Sequence, residues 1–193
     1  FPALTDFQQV AVHQALTILR QHGGVIVADV VGLGKTYIGA SMLKILSNQG
    51  RRATIFCPPA LVAMWEEFNH LYALSAVVVS TGILAGENAV DLSEPVYQTH
   101  DRTVVLVDES HRFRNAGTSS YTALSDYCQG RSCILLTATP FNLRPRDLYS
   151  QIRLFADDDM DLGLNPPRLR EFFTHVEKGS ASLVDVLRPL MIR

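Results

Sequence analysis

A short apolar run, Gly24 to Ala28, leads without a break into Asp29-Val30-Val31-Gly32-Leu33-Gly34-Lys35-Thr36, and a helical pattern follows at once to about Leu46. Strand, glycine-bearing turn, Lys-Thr and helix in that order constrain the chain more than any other feature, because together they make a cradle for a nucleoside triphosphate. Backbone N–H groups of the turn and of the helix start would face phosphate oxygens, where the helix dipole favours negative charge. Gly32 and Gly34 allow the positive φ and close backbone approach that such a nest requires. Lys35 would reach the β- and γ-phosphates, and the Thr36 hydroxyl would ligate Mg²⁺. Asp29 departs from the general pattern G-x-x-x-x-G-K-[ST], which has glycine at that place.

The rest of the chain repeats the strand–helix alternation. Strand-like runs at 24–28, 53–57, 76–80, 103–107 and 132–137 are interleaved with helical patterns at about 6–21, 36–47, 59–72 and 118–128. This alternation predicts an α/β fold: three layers, with a mainly parallel sheet and helices on both faces. Pro58-Pro59 ends one strand and opens a helix. The aperiodic stretch 86–102 reads as a long surface loop. Beyond Pro140, helices are expected at about 145–155, 168–177 and 181–188, with a break at Asn165-Pro166-Pro167.

Bulk properties narrow the function classes. The 193 residues make one domain of ordinary size. Net charge is −2, so nucleic-acid contact needs a local patch or parts of the protein outside this chain. Cys57, Cys128 and Cys133 lack C-x-x-C spacing and read as buried free thiols of a reducing, intracellular compartment, cytoplasmic or nucleoid/nuclear. No apolar run is long enough for a bilayer. The acidic run Asp157 to Asp161 is not a calcium loop, since Leu162 stands where glycine is required and Arg168 where glutamate is required. Starting at Phe1, the chain reads as a piece of something longer.

About seventy residues after the glycine turn comes Val104-Val105-Leu106-Val107-Asp108-Glu109-Ser110-His111, a buried strand with two carboxylates at its C-terminal end. Ligands of open α/β sheets bind outside the carboxyl ends of strands. Asp108 would hold Mg²⁺ through water, and Glu109 would orient the attacking water in phosphoryl transfer; paired acids there also suit a helix N-terminus. The two strand ends, after Ala28 and after Val107, are expected side by side around one triphosphate. Ile134 to Pro140 is a strand ending in small hydroxyl residues that could reach groups near the γ-phosphate. Gln8 has two readings on local grounds: the far half of a Thr5-x-x-Gln8 capping box, or an amide that reads an adenine edge.

In order and spacing, Gln8, the Gly32–Thr36 turn, Cys57-Pro58-Pro59-Ala60-Leu61 with Trp65, Asp108 to His111, and Leu136 to Pro140 resemble the first RecA-like lobe of superfamily 2 helicase-like ATPases. The closest likeness is to the SWI/SNF-like branch of double-stranded DNA translocases, which also carries Asp at the position of Asp29. His111-Arg-Phe-Arg-Asn115, Thr139-Pro140-Phe141-Asn142 with Asp147-Leu148-Tyr149, and Leu187 to Arg193 fit that branch too. The resemblance implies ATP and Mg²⁺ as cofactors. It implies ATP contacts from Gln8, Gly32, Leu33, Gly34, Lys35, Thr36 and Tyr37, with metal held by Thr36 and Asp108. Catalysis would fall to Lys35, Asp108 and Glu109. Coupling to nucleic acid would fall to His111, Thr137, Ala138 and Thr139. Pro58, Pro59, Ser80, Thr81 and Gly82 would lie towards the tracking strand, joined by Arg112, Arg114 and Asn115 on the same groove; exposed arginines after a turn are as often merely solvated.

These readings make residues 1–193 one lobe of a two-lobe motor, with about 156–193 a helical extension leading towards a second lobe. Partners would be nucleic acid, double-stranded DNA first, and that second lobe; no membrane is implied. Arginines from the partner lobe contribute roughly 10³–10⁵ in rate in related enzymes, so this piece alone would bind ATP weakly and turn over poorly. Alternatives are the motor of a restriction or defence system, an RNA-directed helicase, or a nucleotide-gated switch without turnover. The guanine-reading Asn-Lys-x-Asp motif is not found in the sequence.

Overall fold

The computed structural model describes residues 4–28, 34–86, 89–94, 97, 103–138 and 144–192. Six strands form one sheet: β1 (Gly24–Ala28), β2 (Ala53–Cys57), β3 (Ala76–Ser80), β4 (Val104–Val107), β5 (Ser132–Thr137) and β6 (Met191–Ile192). Their order is β3-β2-β4-β5-β1-β6, and every pairing is parallel. The helices are α1 (Asp6–His22), α2 (Lys35–Asn48), α3 (Val62–Tyr72), α4 (Ser119–Cys128), α5 (Pro145–Ile152), α6 (Leu169–Glu177) and α7 (Leu183–Leu190).

Period-two side-chain alternation divides the core. Val25, Val27, Ile55, Leu106, Ile134 and Leu136 point to the face covered by α1, α2 and α3. Ile26, Phe56, Val105, Val107 and Leu135 point to the face covered by α4 to α7. Both faces are dry, which is why β1, β2 and β4 are buried along their whole length. Each fully buried aliphatic contributes roughly 1.5–3 kcal/mol.

The expected strands and the helices up to Cys128 form within a residue or two of their sequence bounds, with one refinement. Residues Pro59–Leu61 are a 3₁₀ turn, and the α-helix starts at Val62. Short 3₁₀ turns also follow β3 (Thr81–Ile83) and β4 (Ser110–Phe113). Strand β6 was not anticipated; two residues pair with Ile26 and Val27 at the edge of the sheet. The segment from 156 onward packs into the main core through Leu162, Leu169, Phe172, Val186 and Leu190. Of the stretch 86–102, the described part includes a turn in which Asp91 Oδ1 accepts from Ser93 N at 2.8 Å. All three cysteines are buried free thiols. No helix among the described residues is long and apolar enough to cross a membrane.

One glycine brings α2 down onto the sheet. A Cβ on Gly39 would meet Leu106 Cδ1 and Leu136 Cδ1, each at 3.0 Å, so the helix lies as close to β4 and β5 as backbone allows. That contact sets the height of Lys35 above the strand ends. Gly39→Ala should be nearly neutral in urea unfolding, because the helix-propensity gain of about 1 kcal/mol offsets mild crowding. Gly39→Leu should cost roughly 1–3 kcal/mol; a neutral leucine variant would refute the close packing.

Candidate nucleotide site

The carboxyl ends of all the strands open on one edge, and the residues singled out in the sequence collect there. β1 ends at Ala28 and α2 opens at Lys35, while Asp108 directly follows β4 and β5 ends in Thr137. One expectation needs correcting: the ends of β1 and β4 are not side by side, because β5 is inserted between them and pairs with both. Thr137, buried, therefore stands at the end of the strand separating the two halves of the site. Gly32 and Leu33 of the turn, and Thr139 beyond β5, lie outside the described residues.

Gly34 caps α2 in the left-handed region, φ 84°, ψ 40°, where glycine is favoured. A Cβ there would also stand 2.8 Å from Gln8 Nε2 and 3.4 Å from Tyr37 Cδ2. The helix start has neither a side-chain cap nor an acidic residue in its first turn. Its first residue is instead Lys35, a cation at the positive end of the dipole, where cations are disfavoured. Such a helix start is arranged for an anion.

Of the two readings of Gln8, the capping box is present in the structure. Its Oε1 accepts from Thr5 N at 3.0 Å and its own N–H bonds Thr5 Oγ1 at 3.3 Å, completing the capping box of α1. The same amide's Nε2 lies against Gly34. Capping thus fixes the side chain beside the turn. Tyr37, exposed, rests on Phe68 of α3 with ring centroids 5.4 Å apart.

Asp108 is 6% exposed. Trp65 donates its indole N–H to Oδ2 at 2.9 Å, and Glu109 N donates to Oδ1 at 2.8 Å. Burial raises the Asp108 pKa; the bonds from Trp65 and Glu109 oppose that, the neighbouring Glu109 charge adds to it, and the Lys35 ammonium opposes it. Lys35 therefore acts on Asp108 across the end of β5. Nearby, burial pushes the Cys57 thiol up to about 12, with the Asp108 and Glu66 charges adding to it, so this thiol stays protonated at neutral pH.

Glu109 is half-buried and left-handed, φ 52° and ψ 45°, at a cost on the order of 1–2 kcal/mol for a residue with a Cβ. Its Oε2 approaches His111 Nδ1 at 3.1 Å, without hydrogen-bond alignment. Next to it, Ser110 donates to Gln151 Oε1 of α5 at 2.9 Å, both side chains fully buried. Trp65 enters the sequence reading only as part of a resemblance and Gln151 not at all. A lone polar residue on an apolar helix face was the one available signal for Gln151.

The residues expected towards nucleic acid fall into two groups. Cys57 and Ser80 are register partners at the ends of β2 and β3, so the turns that follow touch: a Cβ on Gly82 would stand 3.0 Å from Pro59 Cγ. Pro58 is buried, whereas Pro59 and Gly82 are exposed; Ser80 caps its own turn by accepting from Gly82 N at 3.2 Å. Thr81 starts that turn. Arg112 and Arg114 are exposed in and after the turn beyond β4. Asn115 is exposed and has a local structural task, since its Oδ1 accepts from Gly117 N at 3.0 Å in the turn leading to α4. Ala138 is half-buried directly after β5.

A carboxylate held in a dry site lowers the stability of the free protein. With its folded pKa above the ordinary 3.8, Asp108 binds its proton more tightly folded than unfolded, so its contribution to stability falls as pH rises from about 4 through the folded value. Asp108→Asn should therefore raise the melting temperature of the nucleotide-free protein at pH 7, and the difference should shrink towards pH 4. A destabilised Asn variant at pH 7 would contradict the burial argument.

No protein-family model matches the chain. In sequence it is similar to an uncharacterized ATP-dependent helicase, YqhH, of Bacillus subtilis, 26% identical over 148 residues, covering 70% of this chain and 26% of the relative. It is 29% identical over 156 residues to the DNA repair and recombination protein RAD54B of Gallus gallus, covering 67% and 17%. Over 164 residues it is 29% identical to a SWI/SNF-related regulator of chromatin, subfamily A-like protein 1, of Bos taurus, covering 78% and 17%. The chain thus spans about a sixth to a quarter of the length of these relatives. Its fold matches the Sulfolobus solfataricus SWI2/SNF2 ATPase core in complex with dsDNA, with TM-score 0.73 and 18% identity, over 99% of this chain and 44% of that one. The Sulfolobus solfataricus SWI2/SNF2 ATPase core domain also matches, with TM-score 0.70 and 17% identity, over 100% of this chain and 43% of that one. Sequence and fold agree in direction: the chain is similar to SWI/SNF-related proteins and an ATP-dependent helicase, and it has the α/β fold of part of the SWI2/SNF2 ATPase core.

Proposed function

We propose that this chain is the ATP-binding lobe of an ATP-dependent translocase on double-stranded DNA, hydrolysing ATP between itself and a second RecA-like lobe. The observation that carries the reading is the convergence of Lys35, at an uncapped helix start, with the buried carboxylate of Asp108 whose charge it opposes. The ATP-dependent helicase and SWI/SNF-related names of its relatives, and a fold neighbour in complex with dsDNA, point the same way.

The triphosphate would lie across the end of β5, its β- and γ-oxygens on the first-turn amides of α2 and on Lys35. Hydroxyl and carboxylate oxygens suit a hard cation such as Mg²⁺, and Thr36 and Asp108 would hold it; bound there, the ion would neutralise charge developing on the phosphates. Glu109 would accept a hydrogen bond from the attacking water and set its line of approach. His111, whose Nδ1 lies 3.1 Å from Glu109 Oε2, would tie that carboxylate to the turn bearing Arg112 and Arg114. Thr137, Ala138 and Thr139 would sense the γ-phosphate from the central strand. Gln8 would offer Nε2 to adenine while its Oε1 keeps the helix cap, with Tyr37 alongside. The touching turns after β2 and β3, Pro58-Pro59 and Ser80-Thr81-Gly82, together with Arg112, Arg114 and Asn115, would meet the nucleic-acid backbone. The segment from about 156 onward would lead to the second lobe, which would supply transition-state arginines.

The test is ATPase activity of the full-length protein with duplex DNA, single-stranded DNA and RNA; stimulation by RNA alone would replace the DNA reading. Glu109→Gln should keep ATP binding and lower kcat by about 10²–10⁴-fold. Continued turnover would remove Glu109 from its role. Lys35→Ala should weaken ATP binding about tenfold to a hundredfold, the value of a charge-assisted contact; unchanged affinity by calorimetry would reject the phosphate site.

A further inference from the structure

We infer that Trp65 and Gln151 are positioning residues that clamp the acidic turn from opposite faces of the sheet and hold Glu109 in its working conformation. The inference rests on the proposed nucleotide site and deepens it. Trp65 belongs to the α1–α3 side of the core and is 0% exposed. Its N–H reaches Asp108 Oδ2 at 2.9 Å. Gln151 comes from the other side, between Leu148 and Ile152 of the α4–α7 core, and is also 0% exposed. Its Oε1 accepts from Ser110 at 2.9 Å. The two contacts grip the residues immediately before and after Glu109.

Between these grips Glu109 adopts φ 52°, a conformation that a residue with a Cβ keeps only where its surroundings impose it. Local backbone bonds assist: Asp108 N donates to Phe56 O at 2.8 Å and Arg112 N to Glu109 O at 3.0 Å. A left-handed residue between two anchored neighbours turns its carboxylate away from the strand direction and towards His111.

The chemistry of each grip is selective. An indole N–H is a donor only, so Trp65 engages one oxygen of Asp108 without competing for a cation. Among the described residues Gln151 Nε2 is buried with no hydrogen-bond partner, so its side chain is not explained by packing alone. A buried amide kept at that expense is explained by the hydroxyl of Ser110. Trp65 also stacks on Phe68 at 6.0 Å, and Phe68 on Tyr37 at 5.4 Å, so the same helix braces both sides of the site.

The test uses the full-length protein with Trp65→Phe, Gln151→Leu, Ser110→Ala and the Ser110→Ala/Gln151→Leu double variant. Partners of metal-binding groups typically change activity 10–100-fold. Trp65→Phe and Ser110→Ala should lower kcat at least tenfold while KM for ATP and calorimetric affinity for Mg–ADP stay within threefold. Ser110→Ala, Gln151→Leu and the double variant should be equally impaired. In the wild type, the Trp65 indole N–H resonance, assigned by its loss in Trp65→Phe, should shift when Mg–ADP is added. Should Gln151→Leu fail to fold, Ser110→Ala alone decides that half. The inference is overturned by kcat within twofold of wild type in Trp65→Phe and Ser110→Ala, by an unmoved indole resonance, or by kcat and bound-nucleotide stoichiometry falling together, which marks a mere loss of fold. A wild-type protein that binds no ATP overturns the nucleotide reading itself, and this inference with it.

Discussion

A sheet whose strands all run one way has one edge where every strand ends, and the chemistry of this protein depends on that edge. Segments from Lys35 to Ala138 meet at this rim although they are about a hundred residues apart in sequence. The strands that lead to it are packed dry on both faces. Gly39 then sets α2 at minimal distance above β4 and β5, which fixes the helix start relative to the carboxylates.

The site stores unfavourable arrangements that the surrounding core enforces. Lys35 sits at the wrong end of a helix dipole, Asp108 is a carboxylate 6% exposed, and Glu109 is left-handed. In the proposed site a triphosphate would suit the helix start and the lysine, and a cation would suit the acid. Clustering of such features at the rim, beside strands with ordinary geometry and packing, is how local rule-breaking marks function.

Much of the fold is legible in the chain. Short apolar runs such as Val104–Val107 and Ile134–Leu136 read as strands buried on both faces, and Thr5-x-x-Gln8 marks the start of α1. The Lys-Thr motif opens a helix and the Asp-Glu motif follows a strand, so the placement of each is local and was legible. Less legible were features lasting one or two residues. Strand β6 is too short to show periodicity, and Pro59–Leu61 and Val62–Tyr72 look alike to a helical pattern though one is 3₁₀. Gln151 reads as a polar residue on a helix, and nothing in its neighbours announces Ser110.

Sequence by itself determined the layers, strands β1 to β5 and the place of the acidic pair after β4, because each follows from side-chain chemistry acting over a few neighbouring residues. Strand order was decided only by tertiary structure: β5 enters between β1 and β4, and no local pattern specifies which parallel strands become neighbours. So were the two grips on the acidic turn, since Trp65 and Gln151 reach it from helices on opposite faces, 43 and 41 residues away along the chain. Contacts of that range exist only once the sheet has been assembled and both layers have closed on it.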